Sequence, residues 1–270
     1  MGVNPYGNPQ RRSGPADIPA PLVPVSAEDF AARKRRRLLA WGSVAALVAL
    51  LGIWLYRRTQ APVEAQQSFD IGQRLLKATR YPEAILSFDH ALALKSDLTE
   101  AYRLRGRANA AENNFDSAIQ DFTQVIQRQP GSAEAFIERA AARLGKKDYS
   151  GVIADCGEAI SRDSKLAYAY NLRGMAFRET NNLQKSVEDF NRAVELSPAV
   201  DTYFQRAATY QLMGQHRLAI ADLDRMIDLA PGSPMGYLAR ARSREALGDA
   251  AGASKDRETG RSLEGGDTSR

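Results

Sequence analysis

Three groups of residues in this sequence have the chemistry to act on something. The first is a single cysteine, Cys156, with two histidines, His90 and His216. A thiol becomes a nucleophile or a ligand only when a base, a cation or a metal lowers its pKa. Cys156 stands in the apolar run VIADCGEAI and reads as a small buried hydrophobe. One cysteine permits no disulfide within a monomer and no zinc site built on cysteine pairs. The histidines have no metal-ligand spacing, the acidic residues are spread rather than clustered, and neither GxGxxG nor GxxxxGK[ST] occurs. The sequence therefore leads us to expect no catalytic residue, no metal and no cofactor. The second group is a recurrence of arginine with aspartate 16 residues later: Arg105 and Asp121, Arg139 and Asp155, Arg173 and Asp189, Arg206 and Asp222, Arg240 and Asp256. A guanidinium and a carboxylate can meet through a forked pair of hydrogen bonds. An outward row of arginines would bind acidic ligands, but here each partner is already in the chain, so a structural ladder is the expected role. The third group is the basic run RKRRR at 33–37 that leads into apolar sequence.

The elements that must carry the ladder are legible as a repeat. An aromatic residue recurs at Tyr102, Phe136, Tyr170, Tyr203 and Tyr237, in steps of 34, 34, 33 and 34. Each unit has two apolar stretches at helical spacing, broken by turn residues at Asn113-Asn114, Gly145, Asn181-Asn182, Gly214 and Gly248. Small residues stand at Gly72, Gly106, Ala140, Gly174, Ala207 and Ala241, and again at Ala84, Ala118, Val152, Ser186, Ala219 and Ala253. They let paired helices approach closely. Phe88, Phe122, Cys156, Phe190 and Leu223 fill the space beside them, with Arg257 off pattern. Ala91, Val125, Ala159, Ala193 and Met226 follow, and Pro130, Pro198 and Pro231 close three of the units. A first, diverged unit has Ile71 and Ser87 and so lacks both members of the Arg–Asp pair. Pro82 stands where a second helix begins.

A 34-residue period with this content resembles the tetratricopeptide repeat family. The resemblance covers about residues 65–262. It implies an all-α fold, a right-handed solenoid of helix-turn-helix repeats at about 65–98, 99–132, 133–166, 167–199, 200–233 and 234–262, the last a polar capping unit. It also implies a concave groove for a partner peptide or helix. Carried over residue by residue, the groove positions are Phe69, Arg103, Arg107, Ile137, Leu144, Tyr168, Asn171, Met175, Arg178, Phe204, Gln211, Leu238 and Arg242. Apolar anchors flanked by arginines suit an extended segment or helix with some acidic residues. The Lys–Asn set with which some members clamp chaperone C-termini is missing from the first repeats.

Residues 38–56 form a stretch of 19 uncharged residues, nine of them Leu, Ile or Val. As a helix it would be roughly 28 Å long, close to a bilayer's hydrocarbon thickness. Trp41, Trp54 and Tyr56 lie near its ends, where amphipathic rings prefer the interface. Basic residues stand on both sides, five before the stretch and Arg57 and Arg58 after it. The reading is a retained transmembrane anchor at 33–58 rather than a signal peptide, whose apolar core is shorter. The heavier basic flank places the N-terminus in the cytoplasm and the repeats outside it, in the periplasm beyond a bacterial inner membrane. A cytosol-facing, receptor-like arrangement and an accessory subunit of an envelope or secretion enzyme complex are the alternatives. Gly42-x3-Ala46 and Ala45-x3-Ala49 would let two spans pack as a homo-oligomer.

The net charge of +5 does not make this a nucleic-acid binder. Residues 1–64 hold nine basic and four acidic residues, whereas 65–270 hold 28 of each. The surplus flanks the apolar stretch, where it can touch anionic lipid. Residues 1–32, with six of the twelve prolines, read as an extended disordered tail, 59–64 as a linker and 263–270 as a flexible tail. The expected whole is a membrane-anchored, non-catalytic scaffold for protein or peptide partners.

Overall fold

The computed structural model describes residues 27–265, with backbone alone at 27, 29, 33, 37–40, 42–45, 57 and 58. Every element among them is an α-helix: α1 Ala27–Lys77, α2 Tyr81–Leu94, α3 Thr99–Ala111, α4 Phe115–Arg128, α5 Ala133–Gly145, α6 Tyr149–Arg162, α7 Ala167–Glu179, α8 Leu183–Leu196, α9 Val200–Leu212, α10 His216–Leu229, α11 Pro234–Ala246 and α12 Ala250–Gly265. The chain divides into two compact units, 1–58 and 59–270.

In the first unit Leu47, Val48, Leu50, Leu51, Ile53, Trp54 and Leu55 are exposed along α1. Among the described residues no helix is long and apolar enough to cross a membrane. The expected span 38–56 includes positions 38–40 and 42–45, whose side chains lie outside the description. The tail expected at 1–32 lies outside it up to residue 26, and residues 27–32 are helical rather than extended. Glu28 stands in that first turn, where an acidic group suits the helix dipole. Residues 59–64, read as a linker, are also helical. Pro62 sits inside α1 and removes one backbone bond. The good helix formers around it, Ala61, Glu64, Ala65 and Gln66, carry the helix through to the repeat that follows.

In the second unit each repeat is a helix pair, from α1's last residues with α2 to α11 with α12. Every pair turns at one residue with positive φ: Thr79, Asn113, Lys147, Asn181, Gly214 and Gly248, with φ from 57° to 80°. In the third repeat the turn expected at Gly145 falls instead on Lys147. Gly145 closes α5 for a different reason, since a Cβ there would overlap the Phe115 ring.

The helices of a pair are held by volume complementarity. Ala84, Ala118, Val152, Ser186, Ala219 and Ala253 are all fully buried. Beside them, glycine faces phenylalanine. A Cβ on Gly72 would lie 2.6 Å from Phe88, one on Gly106 2.9 Å from Phe122, and one on Gly174 3.0 Å from Phe190. Where the filler is smaller, as at Cys156 or Leu223, the opposite residue is alanine, Ala140 or Ala207. Each buried Phe contributes about 1.5–3 kcal/mol of hydrophobic stabilisation. Burial also pushes the Cys156 thiol up to about 12, which keeps it a packing group. Consecutive helices pack in order, and α3 touches α5, α5 touches α7 and α7 touches α9. The first helices thus lie side by side as one layer, with the second helices behind them.

Candidate partner-binding face

The ladder residues lie between the two helices of each repeat. Arg105, Arg139, Arg173, Arg206 and Arg240 each donate from Nε and Nη2 to the two oxygens of Asp121, Asp155, Asp189, Asp222 and Asp256. The Nε bonds are 2.8–3.0 Å and the Nη2 bonds 2.6–2.8 Å. The carboxylates are buried, 2–6% exposed. Each guanidinium also stands over the aromatic ring three residues before it, at 5.4–5.8 Å. This is one physical reason the aromatic and the arginine recur together. Burial pushes the Asp121 carboxyl above its usual value, against the opposing pull of Arg105. The bond to Asp189 holds the Arg173 guanidinium above its ordinary range.

The sequence reading missed a second half of this ladder. Nη1 reaches back to the preceding repeat: Arg105 to Asp89, Arg139 to Thr123, Arg206 to Asn191 and Arg240 to Asp224. The arginines therefore tie neighbouring repeats as well as paired helices. At Arg173 the matching position is Gly157, which has no side chain to offer. The signal was available as an acceptor 15 or 16 residues before four of the five arginines.

The groove candidates sort into three kinds. Phe69, Ile137, Leu144 and Phe204 are half-buried and pack on core clusters, Phe69 with its ring 6.0 Å from that of Phe88. Leu238 packs where α12 passes at Gly260. A second kind bonds to the first helix of the next repeat. Arg103 pairs with Glu134 at 3.0 Å and Arg107 with Glu138 at 2.5 Å and Glu134 at 3.1 Å. Arg178 donates to Gln205 at 2.7 Å and pairs with Glu179. Gln211 donates to the Ala239 carbonyl at 2.9 Å and to Ser243 at 2.7 Å. Three of the four arginines thought to attract acidic ligands thus already have carboxylate partners within the chain. Only spatial adjacency of the first helices makes Glu134 and Glu138 their neighbours.

The third kind is open. Met175 is half-buried, Arg242 is exposed and Tyr168 is 55% exposed. Asn171 is buried on the same face, and its Nδ2 donates to Asp201 Oδ2 at 3.1 Å. Tyr168, Asn171 and Asp201, with Ala167, Ser197, Ala199 and Thr202, line a cavity of about 340 Å³. Burial, and then the charge of Asp201, raise the Tyr168 hydroxyl's pKa, so it stays a neutral donor. A second cavity of about 320 Å³ lies by Arg107, Phe122 and Glu138. Among the described residues no group of three or more His, Cys, Asp or Glu could hold a metal ion. His90 meets Ser68 at 2.8 Å and His216 begins α10.

Residues 69–133 match one family model of the tetratricopeptide repeat, and residues 167–199 and 200–233 match another. No curated protein matches the sequence. Among solved structures, MamA from Desulfovibrio magneticus RS-1 is 22% identical, with a TM-score of 0.58 over 62% of this chain and 94% of that one. A thermophilic TPR protein of Thermus thermophilus is 18% identical, with a TM-score of 0.53 over 68% and 98%. YrrB, described as a TPR protein with an unusual peptide-binding site, is 18% identical, with a TM-score of 0.52 over 61% and 85%. At these identities the likeness is one of fold. Residues 69–133 and 167–233 carry tetratricopeptide repeats, and the second unit shares the helical-repeat solenoid fold of these structures.

Proposed function

We propose that this chain is a membrane-anchored scaffold that receives protein partners along the layer of first helices and performs no chemistry itself. The observation that carries the reading is the open cavity between α7 and α9. There Tyr168 is exposed, and the buried Asn171 keeps its Oδ1 without a hydrogen-bond partner among the described residues although its Nδ2 donates to Asp201. YrrB, of similar fold, has a peptide-binding site by its description, which supports the same use of this layer. Cys156 is buried and the histidines lie apart, which supports a surface rather than an active site.

The anchor is residues 38–56, supported by their lack of charge, the basic flanks and the exposed Leu47, Val48, Leu50 and Leu51 on α1. With five basic residues before the stretch and two after it, the N-terminus is cytoplasmic and the repeats lie in the periplasm. The test has two arms. Reporters active only outside or only inside the cytoplasm are fused after Arg270, and the outside reporter is expected to work. Activity of the inside reporter alone reverses the topology, and a chain recovered wholly from the soluble fraction ends the anchor. In parallel, a photo-crosslinking residue replaces Tyr168 in the full chain, with the exposed Leu229 of α10 as the control position. Adducts from Tyr168 alone are expected; equal labelling at both positions would remove the scaffold reading of this face.

A further inference from the structure

The cavity between α7 and α9 has a definite polarity. Asn171 is 7% exposed, and its Oδ1 is buried with no hydrogen-bond partner. Its Nδ2 is taken by Asp201. Asp201 also accepts from Gln205 at 3.3 Å and has no ion pair among the described residues. That sets it apart from the carboxylates of α3, α5, α7 and α11, though not from the exposed Asp70 of α1, which accepts from Gln66 at 2.8 Å. Glu100 has Arg103, Glu134 and Glu138 share Arg103 and Arg107, and Glu245 has Arg257. Gln205 bridges Asp201 and Arg178, and Arg178 itself pairs with Glu179. At the mouth, Tyr168 presents a half-exposed ring and a hydroxyl.

A buried carbonyl oxygen without a donor costs about 1–3 kcal/mol, and a ligand that donates to it recovers much of that. A carboxylate without a counter-charge, on the edge of a partly dried cavity, attracts a cation. An aromatic face nearby favours the same sign. The first turn of α9 is electropositive and has no side-chain cap, but Asp201 lies in that turn and already supplies the anion. Ammonium and guanidinium groups are rich in donors, enough for both oxygens at once.

We propose that this cavity receives the lysine or arginine side chain of a partner peptide, with Asp201 as counter-ion, the Asn171 Oδ1 as acceptor and the Tyr168 ring as a wall. The proposal rests on the peptide-binding reading of this face and gives it a sign opposite to the acidic partner that the sequence suggests.

A displayed library of random peptides is selected on the full-length chain, and the selected peptides are titrated against the wild type and Asp201→Asn. The expected result is a shared lysine or arginine. Its replacement by glutamine weakens binding about tenfold on the wild type and less than about twofold on Asp201→Asn, as for one charge-assisted hydrogen bond. Tyr168→Leu supplies the same comparison if Asp201→Asn melts below the wild type. Acidic or neutral consensus peptides, or a basic residue whose loss costs the same on both proteins, overturn the cavity assignment and leave the peptide-binding face standing. A library that yields no binder on the wild type overturns both.

Discussion

The ladder and the cavity between α7 and α9 use the same kinds of side chain to opposite ends. In the ladder each aspartate has both oxygens filled by an arginine from the same repeat, and most of those arginines spend their remaining donor on the repeat before. In the cavity an asparagine and an aspartate bond to each other and still leave a buried acceptor open and a carboxylate unpaired. Partners encoded in the chain make a polar group structural. A polar group that the fold buries and leaves incomplete is one that something else can complete.

That contrast can be broken by measurement, beginning with the ladder. Asp155 accepts from Arg139 and also pairs with Arg143 at 2.9 Å. Asp155→Ala strands both and is expected to cost about 3 kcal/mol, lowering Tm by roughly 6–12 °C. A variant that melts like the wild type would remove the ladder from the structural side of the comparison. Gly72→Ala tests the packing beneath the ladder. It forces a Cβ against Phe88 and is expected to cost about 1–3 kcal/mol. A double-mutant cycle with Phe88→Leu should recover about 1 kcal/mol of coupling, because alanine faces leucine at Ala207 and Leu223.

Asp148 gives the same contrast a pH dependence. It caps α6 by accepting from the Gly151 N–H at 3.0 Å, and that bond holds its carboxyl below the ordinary aspartate value. A carboxyl with a lowered folded pKa contributes stability above its unfolded pKa and loses it as pH falls through the folded value. Asp148→Ala should therefore cost about 1 kcal/mol at neutral pH, and the gap in Tm should close as pH drops below about 4. An unchanged gap at acid pH would detach the cap from that carboxylate.

Gly157 is the place where the ladder itself is incomplete, and it sharpens the comparison. A Cβ there meets nothing within 4 Å, and Arg173 has no side chain to reach in the preceding repeat. Gly157→Asp should gain about 0.5–1 kcal/mol by removing a helical glycine and completing the rung, as Asp89 and Asp224 do elsewhere. A loss of stability would mean that the inter-repeat bonds contribute nothing. The smallest expected effect is that of Asp201→Asn, under about 0.5 kcal/mol in thermal melting, since no ion pair is lost. A large loss would move the cavity to the structural side.

Much of the fold was legible because the repeat states each requirement several times. The arginine and the aspartate 16 residues on are both missing from the first unit, and that joint loss points to contact before any coordinate does. The match of glycine to phenylalanine and alanine to smaller fillers also lay in the sequence, in two columns that had to be compared row by row. Other features were not legible. Lys147 takes the left-handed position two residues past the end of its helix, as in every other repeat, and Gly145 instead makes room for Phe115 of the preceding repeat. Glu134 and Glu138 neutralise Arg103 and Arg107 across a gap of 27–31 residues that belongs to no helical period.

Sequence alone was enough for the helical period, the tight turns, the small residues at close approaches and the pairing of charges within a repeat. These depend on neighbours a few residues away or on a unit that recurs. Which groove arginines are already neutralised, which apolar candidates are core, and that Asn171 keeps a buried oxygen without a donor were decided by the stacking of α7 against α9 and of each first helix against the next. Whether a polar atom is satisfied depends on every element that surrounds it, and those elements come from separate repeats brought together only by folding.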